Sequence, residues 1–306
     1  MPKEYIMGFA KTINVHGKLM EFIVPKLMGI LNVTPDSFYE GSRNLTDEEI
    51  RNRIHTIVNE GADIIDIGAY STRPKAGHIS IDEELRRLKL GLTILNKEFP
   101  NAVVSVDTFR SKVAEYCVKE HGVAIVNDIS GGEMDSQMFE TVGKLKVPYV
   151  LTHMQGTPQS MQRAPQYDNI VKNLFLYFSR KVAHLHDLGV TDIVIDPGFG
   201  FGKTLEHNYE LLNHLDDFEL FNMPLLAGIS RKSMVYKLLD ITPEESLTGT
   251  IVLDTVALQK GANMLRVHDV REAVDSIRIL QMLKTKNVID ESKVQKYNSI
   301  SSQVIL

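Results

Sequence analysis

An α/β fold, a (β/α)8 barrel of the TIM type with an N-terminal β-hairpin closing its bottom, is what the sequence predicts, and three observations carry the prediction. First, eight short runs rich in Val, Ile and Leu recur along the chain: LMGILNVT from Leu27, ADIIDIGA from Ala62, AVVSVDTF from Ala102, AIVNDIS from Ala124, PYVLTHM from Pro148, DIVIDPG from Asp192, PLLAGIS from Pro224 and NMLRVHD from Asn263. Their apolar continuity is that of strands buried on both faces, as in a parallel sheet. Second, each run is bounded by a turn or a helix-like stretch, the alternation of an α/β protein. Third, each run delivers a polar or charged side chain at its C-terminal end. These are Asn32, Thr72 and Arg73 just past the second run, Asp107, Asn127, His153, Asp196, the stretch from Ser230 to Ser233, and Arg266 with His268. In a closed barrel such tips converge on one mouth, where barrel enzymes keep their active sites.

The length of 306 residues suits one barrel domain over 1–286, since such barrels use about 250 residues, and leaves a polar tail over 287–306. Hydrophobic residues at 43% and charged residues at 24% are globular values, and no apolar stretch is long enough to span a bilayer. The start MPKEYIMGFAKT lacks the apolar core of a signal peptide, so a cytoplasmic protein without membrane partners is expected. Cys117 is the one cysteine, which excludes an internal disulfide, and no Cys and His pair has zinc spacing. His184 and His186 stand two apart and do not share a helical face. A net charge of -5 gives no basic footprint for nucleic acid.

In chain order, TINVHGKLMEF alternates apolar and polar around His16-Gly17, the pattern of a hairpin that would plug the barrel's N-terminal end. Thr46 with Glu49, Ser80 with Glu83, and Thr242 with Glu245 have capping-box spacing, the last with Pro243 at the first helical position. Between about Gln166 and Leu188, the residues Ile170, Leu174, Phe178, Val182 and Leu185 form one stripe to lie against the barrel wall. The tail ESKVQKYNSISSQVIL has no strong period.

The loops carry the chemistry. After the first strand, ILNVTPDSFYEGSR places Asn32 at a strand tip, where a neutral amide can hold a metal through its carbonyl oxygen or form an Asx turn. GAYSTRPKAGH offers Arg73 as a forked donor for phosphate or carboxylate, with a surface salt bridge as the plainer use. Asp107 either serves a site or caps the helix beginning near Arg110, and Asn127 ends the neighbouring strand about 5 Å away. DIVIDPGFGFGKT has Pro197 where a phosphate loop needs glycine, so that motif fails. Its glycines instead let a ligand approach the backbone beside Phe199 and Phe201, and Asp196 is an acceptor suited to a flat ligand with two parallel N–H donors. In GISRKS, the residues Arg231, Lys232 and Ser233 combine positive charge with the free N–H groups of a helix start. RVHD sends Arg266 and His268 to one face, at the strand where barrels commonly bind phosphate.

In this order LNVTPDSF, STRP, VDT, VND, HM-GTP, DPG-GFGK, G-SRKS and RVHDV resemble the dihydropteroate synthases, pterin-binding barrels, from Lys26 to about Leu283. The resemblance implies condensation of 6-hydroxymethyl-7,8-dihydropterin diphosphate with 4-aminobenzoate, giving 7,8-dihydropteroate and diphosphate, a step of folate biosynthesis. It implies that Asp196, Asn127 and Asp107 line the pterin slot, that Met154 packs on the ring and that Lys232 reaches its carbonyl side. Asn32 would ligate Mg²⁺ on the diphosphate, whose oxygens Arg73, Arg266 and His268 would hold. Phe38, Thr72, Pro74, Phe201 and Ser233 would surround the aminobenzoate. A homodimer, and sensitivity to sulfonamides in either direction, come with the resemblance. Departures fall at Ala69 and Tyr70, and at Tyr39, Glu40 and Ser42, and touch loop shape.

Residue types agree with that chemistry independently. The chain offers no activated Ser or Cys nucleophile, but cations for a leaving diphosphate and carboxylates for a heterocycle. An arylamine is neutral at pH 7 and needs no strong base, so a dissociative substitution is expected, with Asp107 and the slot stabilising a pterin-methyl cation. Two other readings are a barrel passing a methyl group from a folate to a corrinoid, and a silent pterin-binding paralogue. The first leaves STRP, SRKS and RVHD unexplained; product formation separates all three.

Overall fold

The structure is a computed structural model, and it describes residues 11–34, 47–70, 78–156, 161 and 165–287. All eight apolar runs are strands: β3 (Lys26–Asn32), β4 (Ile64–Gly68), β5 (Val103–Asp107), β6 (Ile125–Asp128), β7 (Tyr149–Thr152), β8 (Ile193–Asp196), β9 (Leu226–Ala227) and β10 (Met264–Val267). They pair in parallel in the order β8-β7-β6-β5-β4-β3-β10-β9. A parallel bridge between Ile195 and Leu225 joins the two outer strands and closes the ring. Helices α1 (Asp47–Asn59), α2 (Ile81–Glu98), α3 (Ser111–His121), α4 (Met138–Leu145), α5 (Ile170–Asp187), α6 (Leu205–Asn213), α7 (Ser233–Leu239), α8 (Leu247–Gln259) and α9 (Val270–Asn287) follow the strands. The tail beyond 287, and Thr46 of the first capping pair, lie outside the described residues.

The hairpin forms as its alternation predicts. β1 (Thr12–Val15) pairs with β2 (Lys18–Glu21), and His16 and Gly17 both take left-handed φ, 51° and 78°, the two-residue turn whose twist matches a hairpin. Ile13, Val15 and Phe22 share one buried cluster with Met28, Ile64, Val150, Val194, Leu226 and Met264 from six barrel strands. The hairpin thus fills the N-terminal end of the barrel and leaves the other end for ligands.

Helix signals mostly hold. Ser80 caps α2 by accepting the Glu83 N–H at 3.2 Å, and the acidic first turn Asp82, Glu83, Glu84 favours the positive end of the helix dipole. The α5 stripe Ile170, Leu174, Phe178, Val182 and Leu185 is buried throughout. Thr242 and Glu245 exchange the expected reciprocal bonds, at 2.9 and 3.4 Å, but they close a turn before α8, which starts only at Leu247. Pro243 therefore stands ahead of the helix. Arg53 of α1 donates to the carbonyls of Ile30 (3.3 Å) and His268 (2.6 Å), tying the β3 and β10 tips together.

Candidate active site

Strand alternation decides which side chains face the barrel interior. On β10, Met264 belongs to the plugged end, so Arg266 two residues on points inward above it, while Leu265 and Val267 join the outer core. By the same parity Ile64 is followed by Asp66 on β4, Val103 by Ser105 and Asp107 on β5, Ile125 by Asn127 on β6, Val150 by Thr152 on β7, Val194 by Asp196 on β8, and Met28 by Asn32 on β3. An apolar plug below and a polar layer above share one barrel. A charged layer inside a barrel survives only where its members pair or meet a ligand.

Arg266 organises that layer. Its Nε donates to Asp66 Oδ2 at 2.6 Å and its Nη2 to Asp107 Oδ2 at 2.6 Å, while the Asn127 Nδ2 donates to the same Asp66 oxygen at 2.9 Å. Burial works against the guanidinium charge, but the carboxylates of Asp66, Asp107 and Asp196 outweigh it and raise the Arg266 pKa. Burial pushes the Asp107 carboxyl up to about 7; Arg266 opposes the rise, and the neighbouring charges of Asp66, Glu84 and Asp128 add to it. Asp66 Oδ1 and Ser105 Oγ, on register partners of β4 and β5, are buried without a hydrogen-bond partner among the described residues. Asp107 does not cap α3. Arg110 holds the cap position, and the Ser111 N–H goes to the Asp135 carboxylate at 2.7 Å.

Across the mouth, Asp196 Oδ1 accepts the Gly198 N–H at 2.7 Å, and Thr152 Oγ1 lies 3.5 Å from Oδ2. Burial raises the Asp196 pKa while the Lys232 charge pulls it back. The Lys232 Nζ donates to the Phe199 carbonyl at 2.6 Å and stands 4.3 Å from the Phe201 ring centroid, a cation–π contact. Burial brings its pKa down to about 8 against the pull of Asp196. Met154 and Phe201 are buried in one cluster with Phe109, Ile129 and Met161, against which Tyr70 and Met134 pack. This cluster forms an apolar wall among the polar groups, the usual make-up of a small-molecule site.

His268 completes the rim. Its backbone N–H donates to Ser230 Oγ at 3.2 Å, and the Ser230 hydroxyl lies 3.1 Å from Nδ1. With the serine oxygen accepting the amide, its hydrogen can turn to Nδ1, which leaves Nε2 as an N–H donor. Burial, then the Arg266 charge, lower the His268 pKa to about 3, so the ring is neutral. Ser233 opens α7, half-buried directly after Lys232. Arg231 departs from the expected anion cluster. Held at φ 55°, it donates through Nε and Nη2 to both oxygens of Asp269 at 2.8 Å and through Nη1 to the carbonyls of Pro243 and Glu244.

The structure thus brings Asp107, Asn127, Met154, Asp196, Phe201, Lys232, Arg266 and His268 to one end of the barrel, with Asn32 at the β3 tip on the inward parity. Phe38, Thr72, Arg73 and Pro74 lie outside the described residues. Asp66 and Lys203 are among the buried groups that were not singled out from the sequence. Among the described residues no group of three or more His, Cys, Asp or Glu is placed to hold a metal ion. The amide of Asn32 is a hard oxygen donor, and the site suits a cation such as Mg²⁺ that takes most ligands from phosphate and water.

Residues 28–268 match the pterin binding enzyme family, and with the barrel and its mouth this makes the chain a pterin-binding barrel protein. The chain is 39% identical over 267 residues to the dihydropteroate synthase of Escherichia coli, covering 87% of this chain and 94% of that one. It is 36% identical to the Haemophilus influenzae dihydropteroate synthase, with coverage of 87% and 96%. Among solved structures, the Yersinia pestis dihydropteroate synthase with a sulfonamide drug superposes with a TM-score of 0.84 at 36% identity, covering 90% of this chain and 99% of that one. The Xanthomonas albilineans dihydropteroate synthase with 4-aminobenzoic acid gives 0.82 at 34%, with coverage of 90% and 98%. The chain belongs to the dihydropteroate synthase family.

Proposed function

We propose that this chain condenses 6-hydroxymethyl-7,8-dihydropterin diphosphate with 4-aminobenzoate to 7,8-dihydropteroate and diphosphate. The observation that carries the reading is the Asp66–Arg266–Asp107 array standing in the same mouth as Asp196, Lys232 and the Met154–Phe201 wall. Asp196 accepts the paired donors of the aminopyrimidinone edge, Asn127 and Asp107 line the slot, and Met154 packs on the ring. Lys232 donates toward the ring carbonyl.

Among the described residues Arg266 uses two of its five N–H donors, which leaves three for diphosphate oxygens. His268 adds its Nε2–H, and Arg73 the charge of the second loop. Mg²⁺, held through Asn32 and the diphosphate, would neutralise charge on the leaving group. The methylene carbon–oxygen bond breaks, the electron pair leaves with diphosphate, and the Asp107 carboxylate stabilises the positive pterin-methyl centre. The aminobenzoate nitrogen forms the new C–N bond and then loses its extra proton to solvent. Phe38, Thr72, Pro74, Phe201 and Ser233 hold the aminobenzoate. Supplying both substrates with Mg²⁺ tests the reading: diphosphate release coupled to dihydropteroate formation is expected, and its absence, or methyl transfer to a corrinoid, would overturn it.

We also propose that the enzyme works in the cytoplasm as a homodimer. Leu238 and Leu239 on α7, Val252 on α8, and Ile279, Met282 and Leu283 on α9 are exposed on adjacent helices. Apolar side chains exposed on neighbouring helices favour a partner, and a second copy is the symmetric one. Sedimentation equilibrium should return twice the chain mass.

A further inference from the structure

We propose that Lys203 is a positioning residue that assembles the pterin slot before any ligand arrives, an inference that rests on the reaction assigned above. Lys203 is 4% exposed, and among the described residues its amine makes no ion pair. It donates instead to the carbonyls of Gly198 (2.8 Å), Phe201 (3.1 Å) and His153 (3.4 Å) and lies 3.1 Å from His153 Nδ1. Burial brings the Lys203 pKa down to about 7; in its charged form the amine can only donate, so Nδ1 then accepts and His153 is neutral, in line with the lowering of the His153 pKa by burial and then by the Lys203 charge. Burying a cation among neutral acceptors is costly unless its hydrogens are fully used.

What the lysine joins gives it its role. The β7–β8 ladder reaches the His153 N–H, which donates to the Asp196 carbonyl at 3.0 Å. Past that bond the strand pairing ends, the two segments stay packed together with Gly202 against Gln155, and the Lys203 amine bonds to both of them. One segment continues into Met154 of the apolar wall. The other is the left-handed glycine loop, with φ of 71° at Gly198 and 61° at Gly202, where an added Cβ at Gly198 would run into the His153 carbonyl. That loop orients Asp196 through the Gly198 N–H, receives Lys232 on the Phe199 carbonyl and presents Phe201 beneath the Lys232 amine. Removing the ammonium therefore loosens the acceptor and the apolar wall of the ring slot together. The Arg266 and His268 side of the mouth is held by other bonds.

The test compares wild type with Lys203→Met by calorimetry, using a 6-hydroxymethylpterin without diphosphate as one probe and inorganic diphosphate with Mg²⁺ as the other. Ring affinity should fall at least 10-fold while diphosphate affinity stays within about twofold, and kcat at saturation should fall less than kcat/KM for the pterin substrate. Ring affinity within threefold of wild type, or equal loss for both probes, would overturn the positioning role. If Lys203→Met does not fold, wild-type hydrogen exchange decides. Amides from Gly198 to Gly202 should already be protected without ligand, and protection that appears only on ring binding would overturn the proposal. Wild-type product formation reads the assigned reaction separately from these comparisons.

Discussion

Arg266 on β10 reaches past β3 to Asp66 on β4, Nε to Oδ2 at 2.6 Å, so the guanidinium charge is anchored to a fully buried carboxylate. Breaking a buried pair from one side leaves the other charge uncompensated. Asp66→Ala should therefore cost about 3–5 kcal/mol of stability, measured by denaturant unfolding, and depress kcat/KM as Arg266 loses its orientation. A loss below about 1 kcal/mol would show that Arg266 repairs its pairing elsewhere.

The same residue marks where the sequence was opaque. Asp107, Asn127, Asp196, Arg266 and His268 were legible because each stands at the end of an apolar run, and a polar residue at a barrel strand tip has one common use. Asp66 stands two residues inside its run, where it looks like an interruption. Only its parity with Ile64 and Gly68, fixed once β4 pairs with β3 and β5, shows that it faces inward. Arg231 failed in the opposite direction: its place among basic residues pointed to an anion, but left-handed backbone turns it toward Asp269, a partner 38 positions away that no local pattern reveals. Lys203 belonged to a recognised motif, yet its role depends on carbonyl directions that only the folded loop defines.

Asp196→Asn keeps an oxygen to accept the Gly198 N–H, so the loop should remain in place. Toward the ligand, the amide sets a donor against donors and removes a charge-assisted hydrogen bond worth roughly 1.5–3 kcal/mol. Pterin affinity by calorimetry should drop about 10- to 150-fold with circular dichroism unchanged. Wild-type affinity in the variant would mean that the aminopyrimidinone edge lies elsewhere.

Two buried groups set the expected pH dependence. The Asp107 carboxyl titrates near 7 and the Lys232 amine near 8, both displaced by burial. If the first acts ionised and the second protonated, kcat/KM rises as pH passes about 7 and falls above about 8. Asp107→Asn should remove the rising limb and Lys232→Arg the falling one. Stability runs differently. A carboxyl raised from 3.8 destabilises the fold progressively as pH climbs to about 7, whereas an amine lowered from 10.5 destabilises it most below about 8, a penalty that fades toward 10.5. Limbs that persist in both variants would assign the titrations to the substrate.

Sulfonamides should compete with 4-aminobenzoate, because both present an aniline on a flat ring with an acidic group opposite. Phe201, buried under the Lys232 amine, would contact the ring that drug and substrate share. Phe201→Leu should therefore raise the drug's inhibition constant and the KM for 4-aminobenzoate by similar factors. Resistance without loss of the substrate requires a residue that touches what the drug alone projects beyond the substrate's outline, and Phe38, Thr72 and Pro74 are the candidates. Substitution of Phe38 should raise the inhibition constant by more than the KM, since specificity is a difference between two affinities. Initial rates over a grid of drug and substrate concentrations separate the cases. Non-competitive inhibition of the unaltered protein, or equal losses in the Phe38 variant, would show that the aminobenzoate lies against other residues.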